Sequence, residues 1–171
     1  MKRFAVIAAL VLSPAVALAQ APNPWDLAKK AAGNAATAKL EKEVNTRLLE
    51  EGRKNQCGFK TNSDQLEGKC DGKLKNLASA LITAKKKLNS AGVTNFKFEV
   101  SGHTDSSGDA KLNKELSGKR AAVIVKELVA RGVPEGDIIS VGAGSERPLV
   151  TPDDTPAKKA KNRRYELQVR L

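Results

Sequence analysis

The sequence predicts an α+β domain in which helices pack on one face of a mixed sheet, with a helical extension in front of it. Three observations predict it. Phe96, Phe98 and Val100 alternate with Lys97, Glu99 and Ser101, the period-two pattern of a half-buried strand. Leu74, Leu77, Ala78, Leu81 and Leu88 recur at helical spacing, marking an amphipathic helix over about Asp71–Ser90. Along the chain such segments follow one another as strand, helix, strand, helix, strand, strand, an order that lays helices against a mixed sheet.

The individual elements follow from local pattern. Lys2 and Arg3 precede an apolar stretch from Phe4 to Leu18, and Ala17-Leu18-Ala19 supplies a small-x-small cleavage pattern. Residues 1–19 therefore read as a signal peptide cut after Ala19. The apolar run falls short of the roughly 20 residues that span a bilayer, and Pro14 interrupts it. No cysteine lies near the cut to take a lipid, and no later stretch is apolar enough to cross a membrane, so the exported chain is expected to be soluble. Residues 20–54 read as an arm: an extended leader at Ala21–Pro24, then a helix from Trp25 to about Arg53, with a narrow apolar stripe at Leu40, Val44 and Leu48. A spacer helix, a coiled-coil arm and a helix packed on the domain all fit that stripe. Residues 55–171 form the domain proper. Gln56–Thr61 is its first strand, Ala110–Arg131 its second helix, closed by Gly132 and Pro134, and Ile138–Val141 its third strand. Leu149–Lys161 reads as a Pro-rich surface loop, and Tyr165–Leu171 as a fourth strand with Tyr165, Leu167, Val169 and Leu171 on one face.

Composition limits the partners. Loss of Lys2 and Arg3 with the leader lowers the formal net charge from +11 to +9, which suits an anionic polymer. Export, together with only four Phe, one Trp and one Tyr for base stacking, argues against nucleic acid. Part of the charge, such as Lys85-Lys86-Lys87, reads as the solvated face of a helix. Cys57 and Cys70 are the only cysteines, and in an oxidising compartment that spacing points to a structural disulfide rather than to redox or zinc chemistry.

Chemistry concentrates between Ser101 and Leu128. Asp105 falls where a strand gives way to a Gly/Ser-rich loop. Asn113, Ser117 and Arg120 follow at helical spacing with Leu116 beside them, so they share one face. If that helix folds back beside the strand, Asp105 and Arg120 either pair with each other or bracket a pocket for a zwitterion. In the second case Arg120 takes a carboxylate and Asp105 an ammonium. His103 is the sole histidine, and with no second His or Cys nearby it reads as structural rather than catalytic or metal-binding. Gly118 inside the helix is either a packing contact or merely tolerated. Gly142-x-Gly144 lacks the third glycine and following helix of a dinucleotide site. No nucleophile motif is present, so the sequence predicts neither an enzyme nor a bound cofactor or metal.

The ordered blocks GHTDSSG, LNKELS, KRA, GAGSERP and NRR, together with FKTNSDQL at Phe59–Leu66, resemble the OmpA-like C-terminal domains shared with peptidoglycan-associated lipoproteins. The resemblance spans about Gln56–Leu171 and implies an OmpA-like sandwich that binds peptidoglycan non-covalently through the diaminopimelate of the stem peptide. It implies that Asp105 receives the ammonium and Arg120 the carboxylate. Thr61, Asn62, Ser107 and Asn113 would add hydrogen bonds, and Leu116 would pack on the aliphatic part. One of Arg163 and Arg164 would stand at the pocket edge. It also implies a periplasmic, cell-wall-associated protein. With neither a barrel nor a lipid anchor in the sequence, outer-membrane association is expected only through partners, and an alternative reading makes the chain an envelope adaptor whose helical arm brings in a partner protein. Lys60, where many relatives carry Asp, is expected to make the rim more positive. The Cys57–Cys70 pair is another departure from many relatives.

Overall fold

The computed structural model describes residues 24–171, so the expectations for residues 1–19 and for most of the Ala21–Pro24 leader lie outside the described residues. A long helix α1 (Pro24–Lys54) leads into a hairpin of two short strands, β1 (Gly58–Phe59) and β2 (Leu66–Glu67). Helix α2 (Asp71–Ser90), strand β3 (Lys97–His103), helix α3 (Ala110–Val129), strand β4 (Ile138–Gly144), a short helix α4 (Pro156–Asn162) and strand β5 (Arg164–Arg170) follow. The main sheet has the order β4-β3-β5, with β4 parallel and β5 antiparallel to the central β3, and is therefore mixed, as expected.

The core lies between the helices and one face of this sheet. Leu74, Leu77, Leu81 and Leu88 of α2 and Ile124 and Leu128 of α3 are fully enclosed, as are Phe98, Val100, Leu167 and Val169 from the strands. Val44 and Leu48 of α1 belong to the same cluster, so the C-terminal half of this helix packs on the domain. It contacts α2 and the edge of β5. The Asn45 side chain accepts from Val169 N (2.6 Å) and donates to Val169 O (3.2 Å). Gln56 does the same with Tyr165 N (3.2 Å) and Tyr165 O (2.8 Å). Two side-chain amides thus satisfy backbone groups of an edge strand that would otherwise be open to another chain. Gly52 permits the approach, since a Cβ there would lie 3.3 Å from Leu167 Cδ1.

Four expectations are corrected. Gln56–Thr61 is not a strand of the main sheet: only Gly58 and Phe59 are extended, and they pair with Glu67 and Leu66. The edge of β5 is taken by the Gln56 side chain, and the backbone turns back between Lys60 and Gln65 through Lys60 N–H to Gln65 O. Strand β3 is buried on both faces rather than half-buried, because the long β5 side chains lie over Glu99, Ser101 and His103. Gln168 donates to Glu99 at 2.7 Å, and Arg170 does so at 3.3 Å. The stretch read as a loop at 149–161 contains α4, opened by Thr155, whose hydroxyl accepts from Lys158 N, and by Pro156 in the first turn. Finally, Lys85 and Lys87 are not simply solvated: they pair with Asp137 and Glu43, joining α2 to neighbouring elements.

Helix α3 rests on glycine. A Cβ on Gly102 would collide with Ser117 O, and one on Gly142 would lie 2.8 Å from Gly118 N. Gly118 in turn faces Gly142, with its own Cβ position 3.7 Å from the Gly142 Cα, so it is a packing contact. The pair Gly142 and Gly144 serves this approach, Gly144 with φ +53°. Because the neighbours of Gly102 are backbone, they cannot give way. Gly102→Ala is expected to lower stability by about 1–3 kcal/mol or more, the range for forced overpacking, read as a shift in the urea midpoint at unchanged slope.

Candidate functional site

The same close packing sets α3 beside the end of β3 and leaves a cavity of about 720 Å³ between them, the β1–β2 hairpin and α4. Thr61, Asn62, Asp105, Ser107, Asn113, Leu116, Arg120 and Arg163 all line it. The structure thus brings together every residue that the sequence analysis nominated for the site. Ser117, on the same helical stripe, does not join them. It is buried against β4, where its hydroxyl accepts from Gly144 N at 2.9 Å and donates to Lys114 O.

Asp105 and Arg120 bracket the cavity without pairing to each other. Asp105 Oδ2 accepts from Arg163 Nη1 at 2.7 Å, and Oδ1 accepts from Ser107 N at 3.0 Å. Burial alone would raise the Asp105 carboxyl, but the bonds from Arg163 and Ser107 outweigh it and hold the group below its ordinary range. Arg120 is fastened to the hairpin: Nε donates to Ser63 O at 2.9 Å and Nη2 to Lys60 O at 3.3 Å, while the guanidinium lies 5.1 Å from the centre of the Phe59 ring. Burial, followed by the nearby Arg163 charge, lowers the Arg120 pKa from its ordinary value. Asn113 donates to Ser107 O at 2.8 Å and so steadies the loop that carries Asp105.

The two arginines of the NRR block point different ways. Arg163 enters the cavity to meet Asp105, whereas the Arg164 guanidinium turns to Glu166 (2.8 Å) on the opposite face of the sheet. Asn162, the block's first residue, is buried and structural. Its side chain accepts from Leu149 N and Val150 N and donates to Val150 O and to Asp153. Asp153 also accepts from Ser106 N and Oγ, so this network ties the Asp105 loop to the segment before α4. The Ser106 bonds, then Asn162, hold the Asp153 carboxyl at about 2.

Sequence reasoning missed Phe59, Lys159 and this Asp153–Asn162 network. Lys159 lines the cavity, its Nζ 2.8 Å from Ser107 Oγ. No periodicity argument could have placed it while 149–161 read as loop; the Thr155-Pro156 start of a helix was the available signal. Lys60 is not among the residues that line the cavity: its ammonium bonds Gln65, and its carbonyl accepts from Arg120. Cys57 and Cys70 are disulfide-bonded with Cα atoms 5.8 Å apart, joining the hairpin to the residue that opens α2. Among the described residues no group of three or more His, Cys, Asp and Glu is placed to hold a metal ion, and no helix is long and apolar enough to cross a membrane.

These features define a mixed α/β domain with a polar, charge-lined cavity at the end of its central strand. A sequence profile of the OmpA family matches residues 58–163, and the chain belongs to that family. Among curated relatives, the peptidoglycan-binding protein ArfA of Mycobacterium tuberculosis is 43% identical over 73 residues, covering 43% of this chain and 22% of that protein. The peptidoglycan-associated lipoprotein of Pseudomonas aeruginosa is 38% identical over 69 residues, 40% of each chain. The chain thus spans about a fifth of the length of the first of these relatives. Two solved structures share the fold. The peptidoglycan-associated lipoprotein of Burkholderia pseudomallei has a TM-score of 0.56 at 24% identity, over 69% of this chain and 92% of that one. A putative MotB-like protein of Desulfovibrio vulgaris has 0.56 at 18%, over 82% and 94%.

His103 stands just behind the site, on the face of the sheet away from the helices. Its Nε2 lies 3.2 Å from Ser101 Oγ and 3.7 Å from Glu166 Oε2, while the buried Nδ1 has no hydrogen-bond partner among the described residues. Burial, helped by Arg164 and opposed by Glu166, pulls its pKa down to about 4. The folded state therefore disfavours the proton that the unfolded chain accepts near pH 6.5. Stability is expected to rise with pH between about 4 and 6.5 and to fall on acidification through that window. The loss is on the order of 3 kcal/mol. Urea unfolding at several pH values should show this slope, flattened in His103→Gln.

Proposed function

We propose that this chain is a non-enzymatic receptor that holds peptidoglycan non-covalently, through the diaminopimelate residue of the stem peptide. One observation carries the reading: Asp105 and Arg120 line one cavity, each held by other groups of the fold and with no ion pair between them. A free amino-acid end presents an ammonium beside a carboxylate. The ammonium takes the place of Arg163 at Asp105, and Arg120 donates to the carboxylate in the fork geometry that guanidinium favours. Thr61, Asn62, Ser107 and Asn113 surround the ligand with hydrogen-bonding groups, and Leu116 supplies apolar contact for its methylene chain. Arg163 stands at the edge and answers to whatever anion accompanies the zwitterion. The mycobacterial relative, a peptidoglycan-binding protein, and the pseudomonad one, a peptidoglycan-associated lipoprotein, support peptidoglycan as the partner.

The location follows from the same reading. Residues 1–19 act as a signal peptide cut after Ala19, and the exported protein works in the periplasm against the cell wall. The basic surface favours an anionic wall polymer and speeds encounter with it.

Co-sedimentation of the protein with purified diaminopimelate-type sacculi tests the proposal. Asp105→Ala and Arg120→Ala are each expected to lose about 2–5 kcal/mol of binding, because the surviving partner is left desolvated and unpaired. Circular dichroism should show the fold intact. Unchanged sedimentation of both variants rejects the clamp, and release of soluble muropeptides by the wild type rejects a purely binding role.

A further inference from the structure

The cavity carries one more positive charge than a zwitterion neutralises. Arg120, Lys159, Arg163 and Arg164 line it, against the carboxylates of Asp105 and Glu67. Arg164 is already matched by Glu166 outside the cavity. That leaves three cations facing two anions. Arg120 is held by backbone carbonyls and Lys159 by the neutral Ser107 hydroxyl, so neither has an acidic partner among the contacts that fasten it. Arg163 has Asp105, but in the reading above it gives that carboxylate up to the ligand's ammonium. A bound zwitterion therefore leaves Lys159 and Arg163 together at one edge, without an acidic partner among the contacts that hold them. Both come from one short stretch: Lys159 and Arg163 are four residues apart, and the Arg163 N–H closes the last turn of α4 on Lys159 O at 3.0 Å.

We propose that Lys159 and Arg163 form a second carboxylate subsite beside the Asp105–Arg120 clamp, an inference that rests on the peptidoglycan reading above. The cavity then takes a peptide of net charge −1, with one ammonium and two carboxylates. In a diaminopimelate stem the second carboxylate is the free α-carboxylate of the γ-linked glutamyl residue before diaminopimelate. The cavity's 720 Å³ is large enough for two residues, well within the range of sites that enclose small ligands. Lys159 is placed for such a role by the fold, since its ammonium already reaches Ser107, whose backbone N–H holds Asp105. Amidation of that glutamyl carboxylate removes the charge and leaves the shape nearly unchanged, so the site distinguishes amidated from unamidated stems.

The test is a calorimetric titration of the full exported chain with two synthetic tripeptides, each N-acetylated and carboxamide-capped at the L-centre of diaminopimelate so that one zwitterionic end remains: acetyl-L-Ala-γ-D-Glu-meso-diaminopimelate and its counterpart amidated at the glutamyl α-carboxylate. The wild type is expected to bind the first about tenfold more tightly, the size of one charge-assisted hydrogen bond. In Lys159→Gln that ratio should collapse towards one. Equal affinity of the wild type for both peptides overturns the second subsite while leaving the clamp standing. A preference that survives in Lys159→Gln removes Lys159 from it. Failure of the wild type to bind either peptide overturns the diaminopimelate reading itself, and the subsite with it.

Discussion

The contact between α3 and the β3–β4 pair, backbone against backbone, is the constraint from which the site follows. Ser117 and Gly118 of the helix lie directly on Gly102 and Gly142, where no side chain fits. That separation fixes how far the helix's Asn113, Leu116 and Arg120 stand from Asp105, which leaves the sheet three residues after Gly102. A wider spacing would open the cavity to bulk water and weaken every charge in it. The Ser117 hydroxyl bonded to Gly144 N adds a polar pin at the same place.

Around this contact the remaining parts act as supports for two charged side chains. Arg120 is held by the carbonyls of a hairpin that the Cys57–Cys70 disulfide joins to α2. The loop bearing Asp105 is held from the other side, through Ser106, by Asp153 and Asn162. Arg120 is engaged by neutral carbonyls and Asp105 by Ser107 N–H and Arg163, so the two do not collapse into one another. In the proposed binding mode a fork of donors and a carboxylate kept apart in this way need break no bond between themselves, and the ion pair to be exchanged is that of Asp105 with Arg163.

The opposite face of the sheet shows a different economy. Its polar side chains are packed over one another, Gln168 and Arg170 on Glu99, and Arg164 on Glu166 beside His103. Strand β3 is covered there by the stems of its neighbours' long side chains rather than by a layer of helices. At the free edge of β5, Asn45 and Gln56 take the place of a further strand, so the long helix is joined to the domain by backbone-like hydrogen bonds as well as by Val44 and Leu48.

How much of this was legible in sequence depended on whether the signal was local. The helix Asp71–Ser90 and the alternation of Phe98 and Val100 are periodic, and periodicity follows from geometry that each residue carries with its neighbours. The ordered motif blocks likewise marked the eight nominated residues that line the cavity, from Thr61 to Arg163, while leaving Arg163 and Arg164 undivided. Tertiary structure alone decided the rest, because those outcomes depend on groups far apart in the chain. Gln56 faces Tyr165 across more than a hundred residues, which keeps the first strand out of the main sheet. The choice between Arg163 and Arg164 turned on which one met Asp105 and which one met Glu166, a matter of alternation at the start of β5. Lys159 entered the site only because a stretch that reads as loop closes into α4. The sequence by itself determined which residue types gather at the end of the central strand. The packing of glycine against glycine decided how far apart they stand, and so which of them were left unpaired.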